Sequence, residues 1–264
     1  MIPPVTTQPD YDALIAAWQK LADSGVLSLQ TAPANGAELL HATIERADAP
    51  LVVISAGVHG DEPIGPSALL QLVSEGLPER FSYVLWPCTN PAGYRAGTRA
   101  NAHGVDINRS FGDGRTPESL AIERHWPRRV PVLTLDLHQD YEASGFYCYE
   151  RTQETNGCAQ APRIVAAVEA AGIPIQTDFG RIDLGHPVAE AESSGLWRVE
   201  RGWIQALRYA PERPESGRPF SVWSGEQGVP HSFTFEAPGL AAWERRLLSL
   251  NLAVRTALAL CHSA

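Results

Sequence analysis

Three side chains in the sequence have the types and positions of metal ligands. In "SAGVHGDE", residues 55–62, His59 and Glu62 follow an apolar run and stand three residues apart. His138 ends a second apolar run, "VLTLDLH". Because the carboxyl ends of parallel strands meet at one edge of a sheet, these side chains could come together in the fold. Two histidines and one carboxylate would leave a fourth position of a zinc ion open for water, as hydrolysis requires.

Each of these signals also has an ordinary structural explanation. A histidine and a glutamate three residues apart can form a hydrogen-bonded turn between a strand and a helix. A histidine at the end of a strand, such as His138, is often a satisfied core residue. The two signals together leave metal binding and the structural explanation evenly balanced.

A carboxylate interrupts the apolar stretch "SFTFEAPG" at Glu236. Burial of a carboxylate is costly unless the group is paired or has a chemical role. Glu236 could be a general base that takes a proton from water and later delivers it to a leaving amine. The alternative is a salt bridge to a nearby arginine.

The stretch "RANAHGVDINRSF" places Arg99, Asn108 and Arg109 in a segment rich in Gly and Asn. A guanidinium can polarise a scissile carbonyl and stabilise the oxyanion that forms. It can also bind a substrate carboxylate through two parallel hydrogen bonds, to which an asparagine amide can add a third. Simple surface solvation is the alternative explanation for arginines in a loop.

The elements that must position these residues form an α/β pattern. "PLVVISAGV" is a nearly unbroken apolar run, typical of a strand buried on both faces, and "PSALLQLVSEG" and "FSYVLWPC" follow it as helix and strand. We therefore expect residues 1–264 to form a single domain with a central mixed, largely parallel sheet flanked by helices. Residues 89–114 are predicted to be a long functional loop, and residues 176–230 show no pattern that assigns them.

Composition excludes several classes of partner. The formal net charge of −9 argues against a nucleic-acid partner, because phosphate binding needs a basic face. No run of apolar residues approaches the length of a membrane span, and the N-terminus shows no signal-peptide pattern. The four scattered cysteines favour free thiols in a reducing compartment, so we expect a cytoplasmic protein.

Taken together, these stretches resemble the zinc carboxypeptidase family. The matching pieces are "HGDE", then "NPAGYRAGTRANAHGVDINRSF", then "DLH" and "SFTFEAPG", in the family's order and over roughly residues 50–240. The short spacing from Arg99 to Asn108 looks more like bacterial murein peptide amidases than like digestive carboxypeptidases. The resemblance implies hydrolysis of a small peptide at an amide next to a free carboxylate.

The resemblance also implies a role for each matching residue. One zinc ion per chain would be held by His59, Glu62 and His138. Arg99 would polarise the substrate carbonyl, and Glu236 would be the general base and acid. The C-terminal carboxylate of the substrate would be bound by two neighbouring side chains, Asn108 and Arg109.

The sequence departs from the family pattern at one point and leaves two alternatives open. The family commonly has a tyrosine about twenty residues before the catalytic glutamate, and Tyr209 is the nearest candidate here. The first alternative is a zinc-dependent deacylase of the aspartoacylase and succinylglutamate desuccinylase type, which acts on acyl-amino acids and shares the HxxE, NR and H pattern. The second is a binding module that keeps the fold without activity.

Overall fold

The computed structural model describes residues 10–34, 37–112, 115–152, 159–179, 197–206 and 217–261. In this part of the chain nine strands form one sheet. They are β1 (Ser28–Ala34), β2 (Ala37–Ile44), β3 (Leu51–Ala56), β4 (Ser82–Trp86), β5 (Leu133–Asp140), β6 (Tyr147–Thr152), β7 (Trp197–Glu200), β8 (Trp203–Ala206) and β9 (His231–Pro238).

The helices pack on the two faces of this sheet. Those described are α1 (Tyr11–Asp23), α2 (Ile64–Glu75), α3 (Pro91–Ala96), α4 (Pro117–Arg124), α5 (Ala161–Ala170), α6 (Phe220–Glu226) and α7 (Trp243–Leu260), with a 3-10 turn over Ile107–Arg109. None of the described helices combines the length and the apolar character needed to cross a bilayer.

The strand order is β1-β2-β4-β3-β5-β9-β6-β8-β7. The four central strands β4, β3, β5 and β9 run parallel, whereas β1, β2 and β6 pair antiparallel with their inner neighbours. This confirms the predicted mixed sheet with a parallel core. The apolar run of β3 is buried along its whole length, as expected for a central strand covered on both faces.

Alternation along β5 separates an apolar face from a polar one. Leu133, Leu135 and Leu137 belong to the large apolar core with residues of α2, α5 and α7. The intervening side chains face the other side, where the hydroxyl of Thr134 lies 3.1 Å from that of Ser224 in α6. The polar face of β5 therefore carries Asp136 and His138 toward the side of the sheet that α6 covers.

Residues 89–112 are more regular than the sequence predicts. Asn90 caps α3 by accepting a hydrogen bond from the Gly93 amide at 2.9 Å, and Pro91 begins the helix. Asp106 caps the 3-10 turn in the same way through the Asn108 amide at 2.9 Å. The prediction of a long loop without elements is wrong, because local caps stabilise short helical turns that have no apolar periodicity.

Candidate metal centre and catalytic cavity

The turn after β3 brings His59 and Glu62 next to His138. β3 and β5 are parallel neighbours, with Ala56 opposite Leu137, so the residues that follow β3 reach the level of His138. One ligand atom from each of the three residues lies within 4.8 Å of the others, and all three side chains are buried. The prediction that these residues meet at one edge of the sheet is confirmed.

Two glycines make this turn possible. A Cβ atom on Gly60 would lie 1.9 Å from the carbonyl carbon of Gly93, so only glycine lets the turn pack against α3. A Cβ atom on Gly65 would lie 2.4 Å from the carbonyl oxygen of Leu137. Helix α2 can therefore start close against β5, which holds Glu62 beside His138.

Both imidazole rings present the same nitrogen to Glu62. The Nδ1 atom of His59 lies 2.6 Å from Oε1 of Glu62, and the Nδ1 atom of His138 lies 2.9 Å from Oε2. The outer nitrogens contact other carboxylates: Nε2 of His59 lies 3.2 Å from Asp106, and Nε2 of His138 lies 2.9 Å from Asp136. Each ring is therefore held between two carboxylates.

This arrangement fits a bound cation. A neutral imidazole that donates its Nε2 proton to a carboxylate has only a lone pair on Nδ1. Two such lone pairs and two carboxylate oxygens of Glu62 then face one another, and either protons or a cation must lie between them. Two imidazole nitrogens and one carboxylate form a ligand set that zinc prefers, and His59, Glu62 and His138 could hold a metal ion.

Charged neighbours raise the pKa values of the two histidines and lower that of Glu62. Burial lowers the pKa of His138, but the carboxylates of Asp136 and Glu62 outweigh it and raise this pKa well above the usual value. For His59, burial is likewise outweighed by Glu62 and Asp106, so its pKa is raised. Burial raises the pKa of Glu62, and the two histidines reverse this effect and lower it. These shifts favour protonated rings beside an ionised Glu62 when no metal ion is bound.

Glu236 lies in the same row of the sheet as His138. In the register of β5, β9 and β6, Glu236 pairs with His138 on one side and with Tyr147 on the other. Residues that face each other across neighbouring strands project to the same face. The sheet therefore aligns a candidate metal ligand, a carboxylate and a phenol in one row.

A cavity of about 410 Å³ opens over this row. Six of the seven site residues predicted from the sequence line it: His59, Glu62, Arg99, Asn108, His138 and Glu236. The seventh, Arg109, is not among the described lining residues, and its guanidinium donates to the backbone oxygen of Asn108 at 2.8 Å. The role of Arg109 stays a prediction. Tyr209 lies outside the described residues.

Arg99 is held at the mouth of the cavity by acidic groups. Its Nε atom donates to Asp106 at 3.1 Å, and a terminal nitrogen lies 3.6 Å from Glu62. Burial lowers the pKa of Arg99, but Asp106 and Glu62 outweigh it and raise this pKa, so the guanidinium stays charged. Its side chain is half exposed, which leaves it accessible from the cavity.

The amide of Asn108 has a defined orientation. Its Oδ1 atom accepts a hydrogen bond from the Phe220 backbone amide at 2.9 Å, at the start of α6. The oxygen is therefore engaged with the backbone, and the Nδ2 group is the part of the side chain that can donate. The structure thus orients Asn108 as a hydrogen-bond donor in the wall of the cavity.

Sequence reasoning missed several residues of the site. Asp136 is buried within a strand, two positions before His138 and on the same face, and this position was visible in "TLDLHQD". Asp106 precedes Asn108 by two residues and joins His59 to Arg99. The other described residues that line the cavity belong to no motif that could be recognised in the sequence: Asp61, Gln139, Asp140, Tyr141, Tyr147, Tyr149 and Thr234.

A comparison with known protein families shows to which family the chain belongs. A sequence profile of the succinylglutamate desuccinylase/aspartoacylase catalytic domain matches residues 48–185, which is more than half of the chain. The chain belongs to the desuccinylase/aspartoacylase family. This family is the one that the sequence analysis gave as the first alternative, and the matched range contains His59, Glu62 and His138.

One curated relative of this family member is an amidase by name. Murein peptide amidase A of Escherichia coli K12 is 39% identical over 92 residues, which are 32% of this chain and 36% of the relative. The chain thus aligns with about a third of the length of that curated relative. The resemblance to murein peptide amidases is confirmed over this region.

Solved structures share the fold of this desuccinylase/aspartoacylase family member. A candidate metallopeptidase of Shewanella denitrificans OS217 superposes with a TM-score of 0.76 at 22% identity, covering 96% of this chain and 91% of that one. A metallo-carboxypeptidase of Burkholderia cenocepacia gives a TM-score of 0.63 at 17% identity, covering 94% of this chain and 68% of that one. The predicted zinc carboxypeptidase-like fold is confirmed.

Proposed function

We propose that this chain is a zinc-dependent metallopeptidase that hydrolyses an amide bond next to a free C-terminal carboxylate, with murein peptides as substrates. The observation that carries the proposal is one cavity that joins a candidate metal centre, the Glu236 carboxylate and the Arg99 guanidinium. Metal-assisted hydrolysis of an amide can combine these three kinds of group around one carbonyl.

One zinc ion per chain would be held by His59, Glu62 and His138. When bound, zinc supplies Lewis acidity, which polarises an amide carbonyl and lowers the pKa of water. Asp106 and Asp136 would orient the two imidazoles by accepting hydrogen bonds from their Nε2–H groups, so that both Nδ1 lone pairs would be directed to the metal.

Glu236 would transfer a proton from the attacking water to the leaving nitrogen. Its carboxylate would accept a proton from the water that attacks the carbonyl carbon and then deliver it to the leaving nitrogen. The register supports this role, because Glu236 is the direct neighbour of His138 across β5 and β9 and lines the same cavity.

Arg99 and Asn108 would position the substrate. The charged guanidinium of Arg99 would donate hydrogen bonds to the carbonyl oxygen as negative charge develops there. The Nδ2 group of Asn108 would donate to the free carboxylate, and Arg109 would complete this carboxylate site. Hydrogen bonding of Asn108 Oδ1 to Phe220 supports the donor role.

The desuccinylase/aspartoacylase match favours a second candidate function. The observation that supports this second function is the match of the family profile to residues 48–185, a range that includes the candidate metal ligands. In this reading the same residues hydrolyse an N-acyl amino acid instead of a peptide. Both substrates release an amino acid with a free carboxylate, so they differ in the acyl group that the cavity accepts.

Zinc analysis combined with an amide-hydrolysis screen tests the proposal. The screen contains murein tripeptide, other C-terminally free peptides and N-acyl amino acids, each before and after chelation. We expect one zinc per chain and cleavage of murein tripeptide that stops on chelation and returns with zinc. Cleavage of N-acyl amino acids alone would select the deacylase, and cleavage that persists without metal would reject both.

We further propose a cytoplasmic location. The support is that Cys88, Cys148 and Cys261 are unpaired and buried in the described part of the chain, as is usual in a reducing compartment. Fractionation of cells that make the full-length protein should recover it with a cytosolic marker enzyme, and recovery with the periplasmic or membrane fraction would contradict this.

A further inference from the structure

A second cavity of about 520 Å³ adjoins the candidate catalytic cavity. Asp140 and Tyr147 line both cavities and therefore form the wall that they share. Arg99 and Asn108 line the first cavity alone, whereas the second contains the carboxylates of Glu142 and Asp178. None of the described residues that line the second cavity is basic. Both adjoining spaces carry carboxylates, but among the described lining residues only the first also has a guanidinium, that of Arg99.

The phenol of Tyr147 is the central group of this wall. It is buried, lies opposite Glu236 in the sheet, and donates its hydroxyl proton to Oδ2 of Asp140 at 2.8 Å. A phenol has one proton to donate, so the Tyr147 oxygen can only accept a further hydrogen bond. Burial, Glu236 and Asp140 raise the pKa of Tyr147 well above its usual value, which keeps that proton in place.

Asp140 is fixed by the turn that follows β5. Its Oδ1 atom accepts from the Glu142 amide at 2.9 Å, and its backbone oxygen accepts from the Gly239 amide at 2.8 Å. Both carboxylate oxygens of Asp140 are therefore oriented before any ligand arrives. Such preorganisation allows a wall residue to discriminate between ligands without first being ordered.

An aromatic ring completes the second cavity. Phe179 packs edge-on against Tyr147 with ring centroids 5.1 Å apart, and both rings line the space. Gln176 stabilises the opposite segment, because its side-chain oxygen accepts from the Gly145 amide at 3.1 Å. A cavity with aromatic faces, carboxylates and an oxygen that only accepts hydrogen bonds is suited to a cationic N–H donor.

We infer that Asp140 and Tyr147 select substrates that carry a protonated amino group on the acyl side of the scissile amide. This inference rests on the proposed function, in which Asn108 binds the carboxylate at the leaving-group side. The acyl part of the substrate then extends past Glu236 and Tyr147 into the second cavity. A free peptide N-terminus satisfies the carboxylates there, whereas an acetylated one leaves them without a cation.

Peptide binding to a zinc-loaded Glu236→Gln protein tests this inference separately from turnover. The probes are murein tripeptide with a free N-terminus and the same tripeptide N-acetylated, with dissociation constants from calorimetry. We expect the free form to bind about tenfold more tightly or better. Adding Tyr147→Phe or Asp140→Asn should reduce this preference to about twofold or less, and in the wild-type enzyme the effect should fall mainly on KM.

Tyr83→Phe is the matched control. Tyr83 is also buried and donates its hydroxyl to a protein oxygen, that of Pro78 at 2.9 Å, but it lies in β4 away from both cavities. This variant should keep the full preference for the free amine.

Equal affinity for the two peptides, or no binding of either, would overturn the inference. A preference that survives in both Tyr147→Phe and Asp140→Asn would also overturn it. If the free amine is preferred but the wild-type enzyme cleaves neither peptide, the proposed peptidase function fails and the amine site stands.

Discussion

At the level of single residues, the two histidines of the candidate metal centre make the same pair of contacts. His59 and His138 each present Nδ1 to Glu62 and hold Nε2 against a carboxylate, that of Asp106 or Asp136. The histidines and Glu62 were predictable because they follow apolar runs that end at the same sheet edge. Asp136 had a visible signal, since a carboxylate within a buried strand needs a partner, but its partner is identified only by the side-chain geometry.

Replacing Glu236 with glutamine should abolish turnover and leave the metal bound. Glutamine has nearly the shape of glutamate but cannot take up the proton of the attacking water. We expect kcat to fall by about 10²–10⁴-fold. Zinc content should equal that of the wild-type protein, since Glu236 is not among the candidate ligands. An unchanged rate would remove Glu236 from the mechanism.

Replacing Asp136 with asparagine should weaken metal binding without removing a ligand. Asp136 accepts the outer N–H of His138, and losing such a partner typically reduces metal affinity about 10–100-fold. Competition with a chromophoric chelator measures this affinity directly. Glu150→Gln is a matched control, because Glu150 is a buried carboxylate that caps the start of α5 instead. Equal losses in the two variants would mean a general effect on stability.

Zinc binding to the metal-free protein should release protons. Because the pKa values of His59 and His138 are raised, their protonated forms are favoured in the metal-free protein, and zinc must displace these protons to bind. Calorimetry in buffers of different ionisation enthalpy should show a net release of protons when zinc binds. Affinity should therefore fall as the pH is lowered. A binding enthalpy that does not depend on the buffer would contradict this account.

At the level of elements, the turn between β3 and α2 and the row across β5, β9 and β6 determine the site. Strands β3, β4 and β5 were predictable from their apolar runs, whereas β7 and β8 lie within residues 176–230, which show no pattern that assigns them. The row was not, because β6 and β9 are distant in sequence, and β6 lies between β9, with which it pairs antiparallel, and β8, with which it pairs parallel. Tyr147 could therefore not be placed beside Glu236 from sequence alone. The short helices of residues 89–114 were missed because caps, and not apolar periodicity, stabilise them.

Replacing Gly60 with alanine should disrupt the metal site by displacing the turn that carries His59 and Glu62. The added Cβ of Gly60→Ala would lie 1.9 Å from a backbone atom of Gly93, so the turn or α3 must move. We expect a loss of stability of about 1–3 kcal/mol and a clear loss of zinc affinity. Gly225→Ala in α6 is the control, since its Cβ would meet no atom within 4 Å. Denaturant unfolding and zinc titration of both variants compare the two effects.

At the level of the whole molecule, one sheet carries every described strand, and its parallel centre brings the candidate ligands to one edge. We propose that residues 1–264 form one domain, because a single buried core contains residues of β2, near one end of the sheet, and of β8, near the other. The fold class was predictable because strand and helix patterns alternate along the chain. Residues 176–230 could not be assigned, since Gly, Pro and Trp interrupt every period there.

Metal removal should lower the thermal stability of the whole domain. The candidate ligands come from the turn before α2 and from β5, so the ion would join two parts of the fold. At a free zinc concentration of a thousand times Kd, linkage gives about 4 kcal/mol. For a chain of this size that corresponds to a Tm difference of roughly 8–16 °C between zinc-loaded and chelated protein. Coincident melting curves would mean that the native protein binds no zinc.

The most direct test of the metal centre is anomalous diffraction from a crystal of the protein grown with zinc, measured on both sides of the zinc absorption edge. We predict one strong anomalous peak per chain, surrounded by Nδ1 of His59, Nδ1 of His138 and the carboxylate of Glu62. A map with no peak between these three side chains would contradict the metal centre and the hydrolytic mechanism that depends on it.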